Sequence, residues 1–328
     1  MKKIALPFIA LALVLSLVAS SCCADQPGFI IFHAGSLSVP FDEMVEEFEE
    51  LNPGVTVITE GHGSRTAIRQ VTELGKGGDI IGSADYLAIE ELMFPEYADW
   101  YICFARNQMV IAYMDGAPFA DEIVSGGRTW YDVLASEDVT YGHSDPDADP
   151  CGYRTLMVVQ LAENYYSATG LYDNLIHGQG MDKGRHNSGR EVVMPKSVEL
   201  LYLLDSGDLD YAFEYRSVAQ QHGFEYFELP EEIDLSSLDF ADFYATAEVE
   251  VTGAEPGTTT TLTGAPIVYG VTIPSNAPHP ELALEFVEFL IGPEGQAIME
   301  ACGQPPIVPA IASNRDNLPE ELKGFVAE

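Results

Sequence analysis

A chain of 328 residues, 47% of them hydrophobic, holds enough apolar material for a buried core beyond one average domain, which excludes a disordered chain. Its 52 acidic against 15 basic residues leave a formal charge of −37 at pH 7, so neither nucleic acid nor an anionic membrane surface is an expected partner. The acids are spread along the whole chain, which is the pattern of a solvated surface that keeps a protein soluble.

Residues 1–23 read as a targeting segment. Lys2 and Lys3 precede the apolar run Ile4–Val18, and the small, polar Ala19-Ser-Ser-Cys22-Cys23 follows. An apolar run of about 15 residues suits a secretory signal and falls short of a membrane span. A cysteine behind small residues suggests lipid attachment at Cys22; Cys23 is the neighbouring alternative, and plain cleavage with release is another. The protein is therefore expected outside the cytoplasm, touching a membrane only through such an anchor. The remaining Cys103, Cys151 and Cys302 are odd in number and lack tight spacing, so they form neither a metal cluster nor a disulfide framework. One bridge among them is open.

Phe29–His33 predicts a short buried strand, Ala34–Ser38 a tight turn, and Val39–Leu51 an amphipathic helix opened by Pro40. Val55–Thr59 predicts a second strand, Gly61-His-Gly-Ser64 a glycine-rich turn, and Arg65–Leu74 a second helix. Asp79–Ile81 predicts a third strand. Strand, turn and helix repeated in this way indicate a doubly wound α/β sheet, whose ligands gather at the carboxyl ends of the strands. Ser36 and Ser64 stand at two such turns, behind Gly35 and Gly63. Either alone is an ordinary helix cap; the two together lean towards a small anion held by hydroxyls and backbone N–H groups.

Trp100–Tyr113 is a β-rich run broken by Arg106-Asn-Gln108, and reads as a crossing between lobes. Ser125–Leu134 and Val139–Gly142 open a new α/β segment. It leads to Ser144-Asp-Pro-Asp-Ala-Asp-Pro-Cys-Gly-Tyr-Arg154, a loop running directly into a helix. Asp149 is placed to cap that helix, with Pro150 at its first position, where a missing N–H costs nothing. A helix N-terminus is also an anion site, so Asp149 either caps alone or meets a ligand as well. Tyr165–Gly189 reads as loops around a short helix, Lys196–Leu204 as a helix, Leu209–Phe213 as a strand, and Glu214–Ser217 as its exit. Ala254–Gly264 reads as an exposed hairpin or loop, Pro266–Ile273 as a strand, and Pro280–Ile291 and Gly295–Cys302 as helices. Pro305–Ala312 is extended, and the acidic tail is expected to be mobile.

Asp149 and Glu214 each sit where a strand exit meets a helix start, which puts both at one rim of a doubly wound sheet. Facing carboxylates serve as the acid and base of a glycosidase, or as hard oxygen ligands. In the plainer reading Asp149 only caps and Glu214 pairs with Arg216. Cys151, with His143 as a base, is weighed as a thiol nucleophile against a small buried filler. The seven histidines show no zinc spacing, and no phosphate loop, serine-hydrolase elbow or metalloprotease motif is present.

Four runs carry a more specific signal: Phe32–Phe41, Ser144–Arg154, Phe213–His222 and Gly264–Pro274. In this order they resemble the archaeal-type molybdate/tungstate-binding proteins of ABC importers, and the likeness extends from about Phe29 to about Ala310. The resemblance implies an α/β, two-lobed type II periplasmic-binding-protein fold with two interlobe crossovers. Its first lobe would take residues 26–113 and 246–328, and its second 114–245. It implies a monomeric, non-enzymatic receptor with no cofactor, which traps its oxyanion between the lobes and delivers it to a permease driven by an ATPase. By motif, Asp149 and Glu214 would coordinate the metal centre of the oxyanion. Ser36 and Ser64 would bind its oxo groups, with Cys151 and Gly152 offering backbone N–H groups and Tyr215 a hydroxyl. Asp145 and Asp147 are further acids in the same loop. Two carboxylates facing a dianion repel it unless bonds to a hard, high-valent centre offset the repulsion, which sulfate and phosphate cannot provide. Two alternatives stand beside this: a receptor for sulfate or phosphate, and a secreted hydrolase using Asp149 and Glu214 or Cys151.

Overall fold

The computed structural model describes residues 28–176, 190–253 and 257–327. The expected targeting segment with Cys22 and Cys23 lies outside these residues, as do His177, His186, part of the Tyr165–Gly189 stretch and residues 254–256. The strands, in chain order, are β1 (Phe29–Ala34), β2 (Val57–His62), β3 (Ile80–Ser83), β4 (Ile102–Arg106), β5 (Met109–Tyr113), β6 (Tyr141–Ser144) and β7 (Glu191–Met194). They continue with β8 (Tyr211–Tyr215), β9 (Glu225–Glu228), β10 (Glu248–Thr252), β11 (Thr259–Thr263), β12 (Val268–Thr272) and β13 (Pro306–Ala312).

Two mixed sheets organise the molecule. The first has the order β13-β4-β12-β3-β1-β2, with β1 parallel to β2 and β3 and with β12 antiparallel to β3 and β4. Alternate residues of β1 feed opposite faces, as the period of two requires. Ile31 joins Phe41, Met44 and Phe48 of the Ser38–Leu51 helix, while Phe32 joins Ala67, Ile68 and Val71 of the Ser64–Thr72 helix. Covered on both faces, β3 is buried along its whole length. The second sheet has the order β7-β6-β8-β5-β9, with β6 parallel to β7 and β8 and with β5 antiparallel to β8 and β9. The Pro150–Tyr165 helix buries nearly every residue of its first three turns against it. This is the expected α/β class.

Three local readings change and one is narrowed. Met109–Tyr113 pairs entirely in the second sheet, so the chain changes sheets at Asn107–Gln108 and not after Tyr113. The break is held by the buried Asn107, whose Oδ1 accepts the Gln108 N–H, and by Gln108 O, which accepts the Arg216 N–H. Of the hairpin and loop expected at Ala254–Gly264 the hairpin holds, because β11 pairs antiparallel with β10 as a separate ribbon. That ribbon leans on the second half, because Gln160 of the Pro150–Tyr165 helix clasps both the N–H and the carbonyl of Glu248. The tail is packed: Leu318, Leu322 and Val326, four residues apart, are buried, and Ala327 N donates to Ala310 O. Finally, the sequence reading left out a helix, Tyr86–Met93, capped by Asp85.

Candidate functional site

β6 and β8 run parallel as neighbours, so their carboxyl ends open on the same rim. The Ser144–Asp149 loop leaves one end and Glu214 lies at the other. Asp149 caps its helix as expected: Oδ1 accepts the Cys151 N–H at 3.0 Å. Its second oxygen is also engaged, accepting the Ser197 N–H at 2.8 Å. Asp145 and Asp147 have other tasks. Asp145 Oδ1 accepts the Asp147 N–H, and Asp147 Oδ1 accepts both the N–H and the hydroxyl of Thr252 on the ribbon.

Glu214 is wholly buried. Its Oε1 accepts the Tyr215 N–H at 2.7 Å, and the Cys151 thiol lies 3.8 Å from the same oxygen. Its Oε2 has no hydrogen-bond partner among the described residues. Pairing with Arg216 is excluded, because Arg216 lies 3.7 Å from Glu228 instead. Leaving a buried polar atom unpaired costs roughly 1–3 kcal/mol, so such an atom calls for an explanation. Burial pushes the Glu214 carboxyl up to about 8, and the charge of Asp149 adds to the rise. Burial pushes Asp149 up to about 6, held back by its two backbone N–H bonds and by Arg154.

Cys151 bridges the two acids, with its N–H on Asp149 and its thiol beside Glu214. Burial and the two carboxylates push that thiol well above its ordinary value, so it is a neutral filler and not a nucleophile. His143 is no base for it, since its ring nitrogens meet Ser144 O and Glu191. Cys103 and Cys302 are likewise free and buried. The N–H groups of Cys151 and Gly152, expected to face a ligand, both donate to Asp149, one to its side chain and one to its carbonyl. A capping carboxylate at this place collects the very donors that a bare helix end would expose. The Tyr215 hydroxyl accepts from Arg154 Nη1 at 2.8 Å.

Ser36 and Ser64 come from the other sheet. Ser36 sits in the Gly35–Leu37 turn after β1, with its Oγ 3.0 Å from the Tyr269 hydroxyl. Ser64 begins its helix, and its Oγ accepts the Ala84 N–H at 2.9 Å. The two halves close on each other here: a Cβ on Gly63 would stand 2.3 Å from Ala148 O and 2.9 Å from the Asp149 Cβ. The Tyr153 hydroxyl donates to Asp85, Arg154 Nη1 to Ala84 O at 2.7 Å, and Lys196 Nζ to Gly61 O at 2.6 Å. Ser36, Ser64, Asp149, Cys151, Glu214 and Tyr215 are each 5% exposed or less, and Gly152 is buried. A cavity of about 240 Å³ is lined by Asp85, Tyr153 and Arg154 and not by either carboxylate, so it lies beside the candidate site. Among the described residues no group of three or more His, Cys, Asp or Glu side chains suits a bare metal ion. The sequence reading passed over Arg154, Ser197 and Tyr269. Arg154 and Tyr269 lie inside runs already singled out, and a charged residue within an apolar helix was the signal for the first.

Residues 29–303 match the family described as bacterial extracellular solute-binding protein. The chain belongs to this family. It is 51% identical over 297 residues to an uncharacterized solute-binding protein of Petrotoga mobilis, covering 90% of this chain and 89% of that one. It is 44% identical over 312 residues to the molybdate/tungstate-binding protein WtpA of Pyrococcus abyssi, again covering 90% and 89%. The fold matches that of the Azotobacter vinelandii periplasmic molybdate-binding protein with a TM-score of 0.56 at 18% identity, over 84% of this chain and 98% of that one. The fold is thus that of periplasmic binding proteins.

Proposed function

We propose that this protein is the extracytoplasmic receptor of an ABC importer and captures tungstate or molybdate between its two lobes. The observation that carries the reading is the unpartnered Oε2 of the wholly buried Glu214, set across Cys151 from Asp149. One oxygen from each carboxylate would complete the coordination of the metal centre, while the Ser36 and Ser64 hydroxyls donate to oxo groups. The name of the Pyrococcus relative supports the same cargo. Once both carboxyls are ionised they repel a dianion, so the scheme needs a centre that accepts their lone pairs and draws the proton off Glu214. Sulfate and phosphate do not expand their coordination in this way, so ionising Glu214 would bring them only repulsion from the two carboxylates, with no bond to a central atom to offset it. As a monomer, either lipid-anchored at Cys22 or Cys23 or released by cleavage, the receptor would hand its cargo to a permease driven by an ATPase.

Calorimetric titration of the protein with tungstate, molybdate and sulfate tests this. Tungstate and molybdate bind and sulfate does not. Because burial holds a proton on Glu214 up to about pH 8, binding at pH 7 releases protons, visible as a dependence of the heat on buffer ionisation. Glu214→Gln and Asp149→Asn each weaken tungstate at least about tenfold, or ~1.4 kcal/mol. Unchanged affinity in both variants sinks the coordination scheme, and binding of sulfate alone reassigns the cargo.

A further inference from the structure

We propose that Tyr269 is a positioning residue that makes the Ser36 hydroxyl an obligate donor towards the bound anion; this rests on reading the cleft as an oxyanion site. The Tyr269 hydroxyl and Ser36 Oγ are 3.0 Å apart, both buried. Such a pair can run in either direction, and the neighbours decide which. Asn107 Nδ2 donates to the Tyr269 oxygen at 2.8 Å, and Gln304 Nε2 approaches it at 3.3 Å. Neither amide is free to turn over. Asn107 Oδ1 already accepts the N–H groups of Gln108 and Ser217, at 3.0 and 3.4 Å, while its Nδ2 also donates to Ser217 Oγ. Gln304 Nε2 donates to the Ser36 carbonyl at 2.8 Å, and a flipped amide would set oxygen against oxygen there.

A hydroxyl oxygen has room for two incoming donors. With both places taken, Tyr269 gives its own hydrogen to Ser36 Oγ. The Ser36 hydrogen must then go elsewhere, and among the described residues no acceptor takes it. Ser64 reaches the same polarity by a different device, since its Oγ accepts the Ala84 N–H and leaves its hydrogen available. Both serines thus present hydrogens, which suits an anion whose oxygens only accept. The chain of bonds starts at Asn107, on the segment where the backbone passes from β4 to β5, so the polarity is fixed from the crossover itself.

A double-mutant cycle tests the assignment. Tyr269→Phe, Ser36→Ala and the pair are titrated with tungstate, molybdate, sulfate and phosphate, and the melting of each ligand-free variant is followed. Tyr269→Phe is expected to weaken the best-bound anion about tenfold, the worth of one well-placed hydrogen bond, and to add nothing once Ser36 is alanine. Asn107→Asp serves as a second variant that keeps the tyrosine. Its carboxylate takes the Tyr269 hydrogen, Ser36 turns to donate inward, and affinity falls again, without further loss in the Ser36→Ala background. A merely structural tyrosine would lower the melting temperature yet leave the two losses multiplicative. Wild-type affinity in Tyr269→Phe, or multiplicative losses, overturns the positioning role while the receptor reading stands. A wild-type protein that binds none of the four anions overturns both.

Discussion

Asp149 spends one oxygen on its own helix and the other on Ser197, whereas Glu214 keeps one oxygen unspent. Both acids titrate above their ordinary values because the site is dry, and the consequence for stability has a definite sign. In the unfolded chain they ionise near 3.8 and 4.5; in the fold they ionise near about 6 and about 8. The folded state therefore holds protons that the unfolded state has lost. The stabilisation from these groups is complete below the ordinary values and disappears as pH rises through the folded ones. Without cargo, the melting temperature should fall between about pH 5 and 8, and Glu214→Gln should remove much of that fall. Melting curves of the two proteins side by side check this, and parallel pH profiles would count against it.

Two glycines separate the tasks of the elements that meet at the site. Gly63 precedes the Ser64–Thr72 helix in an extended conformation, so its need is for room and not for special dihedrals. A methyl group there would strike the carbonyl of Ala148, which belongs to the other half. Gly63→Ala should leave the ligand-free melting temperature nearly unchanged and weaken tungstate at least about tenfold, because the halves move apart and do not unfold. Gly152 is crowded within its own half, with a Cβ falling 2.3 Å from Ser144 O. Gly152→Ala should displace the loop that carries Asp149 and destabilise the protein by about 1–3 kcal/mol, the usual cost of overpacking. Equal stability losses in the two variants would contradict this division.

Across the whole molecule, several polar contacts tie the two halves together beside the site: Tyr153 with Asp85, Arg154 with Ala84, Lys196 with Gly61, and Arg69 with Asp147 O. Bonds of this kind each add about 1 kcal/mol net, enough to bias an equilibrium between open and closed forms but not to lock it. Cargo that touches both halves shifts the balance by its differential affinity. Tyr153→Phe combined with Lys196→Ala should enlarge the radius of gyration of the ligand-free protein in solution scattering, and tungstate should restore it. A radius unaffected by the two substitutions would show that these contacts do not hold the halves together.

Much of this was legible from the chain alone, for local reasons. The Pro280–Ile291 helix, the cap at Asp149 with Pro150 behind it, and the break at Arg106-Asn-Gln108 all follow from periodicity, caps and breakers that act within a few residues. The placement of Asp149 and Glu214 at one rim followed from reading both as strand exits of a single sheet. What the tertiary structure decided was which atom meets which. Tyr269 reaches Ser36 from 233 residues away and Ser197 reaches Asp149 from 48, and no local pattern encodes such pairings. Burial, a property of the assembled halves, turned Cys151 from a candidate nucleophile into a neutral bridge and left Glu214 with an oxygen to spare. Caps and periods belong to short stretches of backbone; the polarity of a hydroxyl and the charge of a carboxyl belong to the packed surroundings that the sheets bring together.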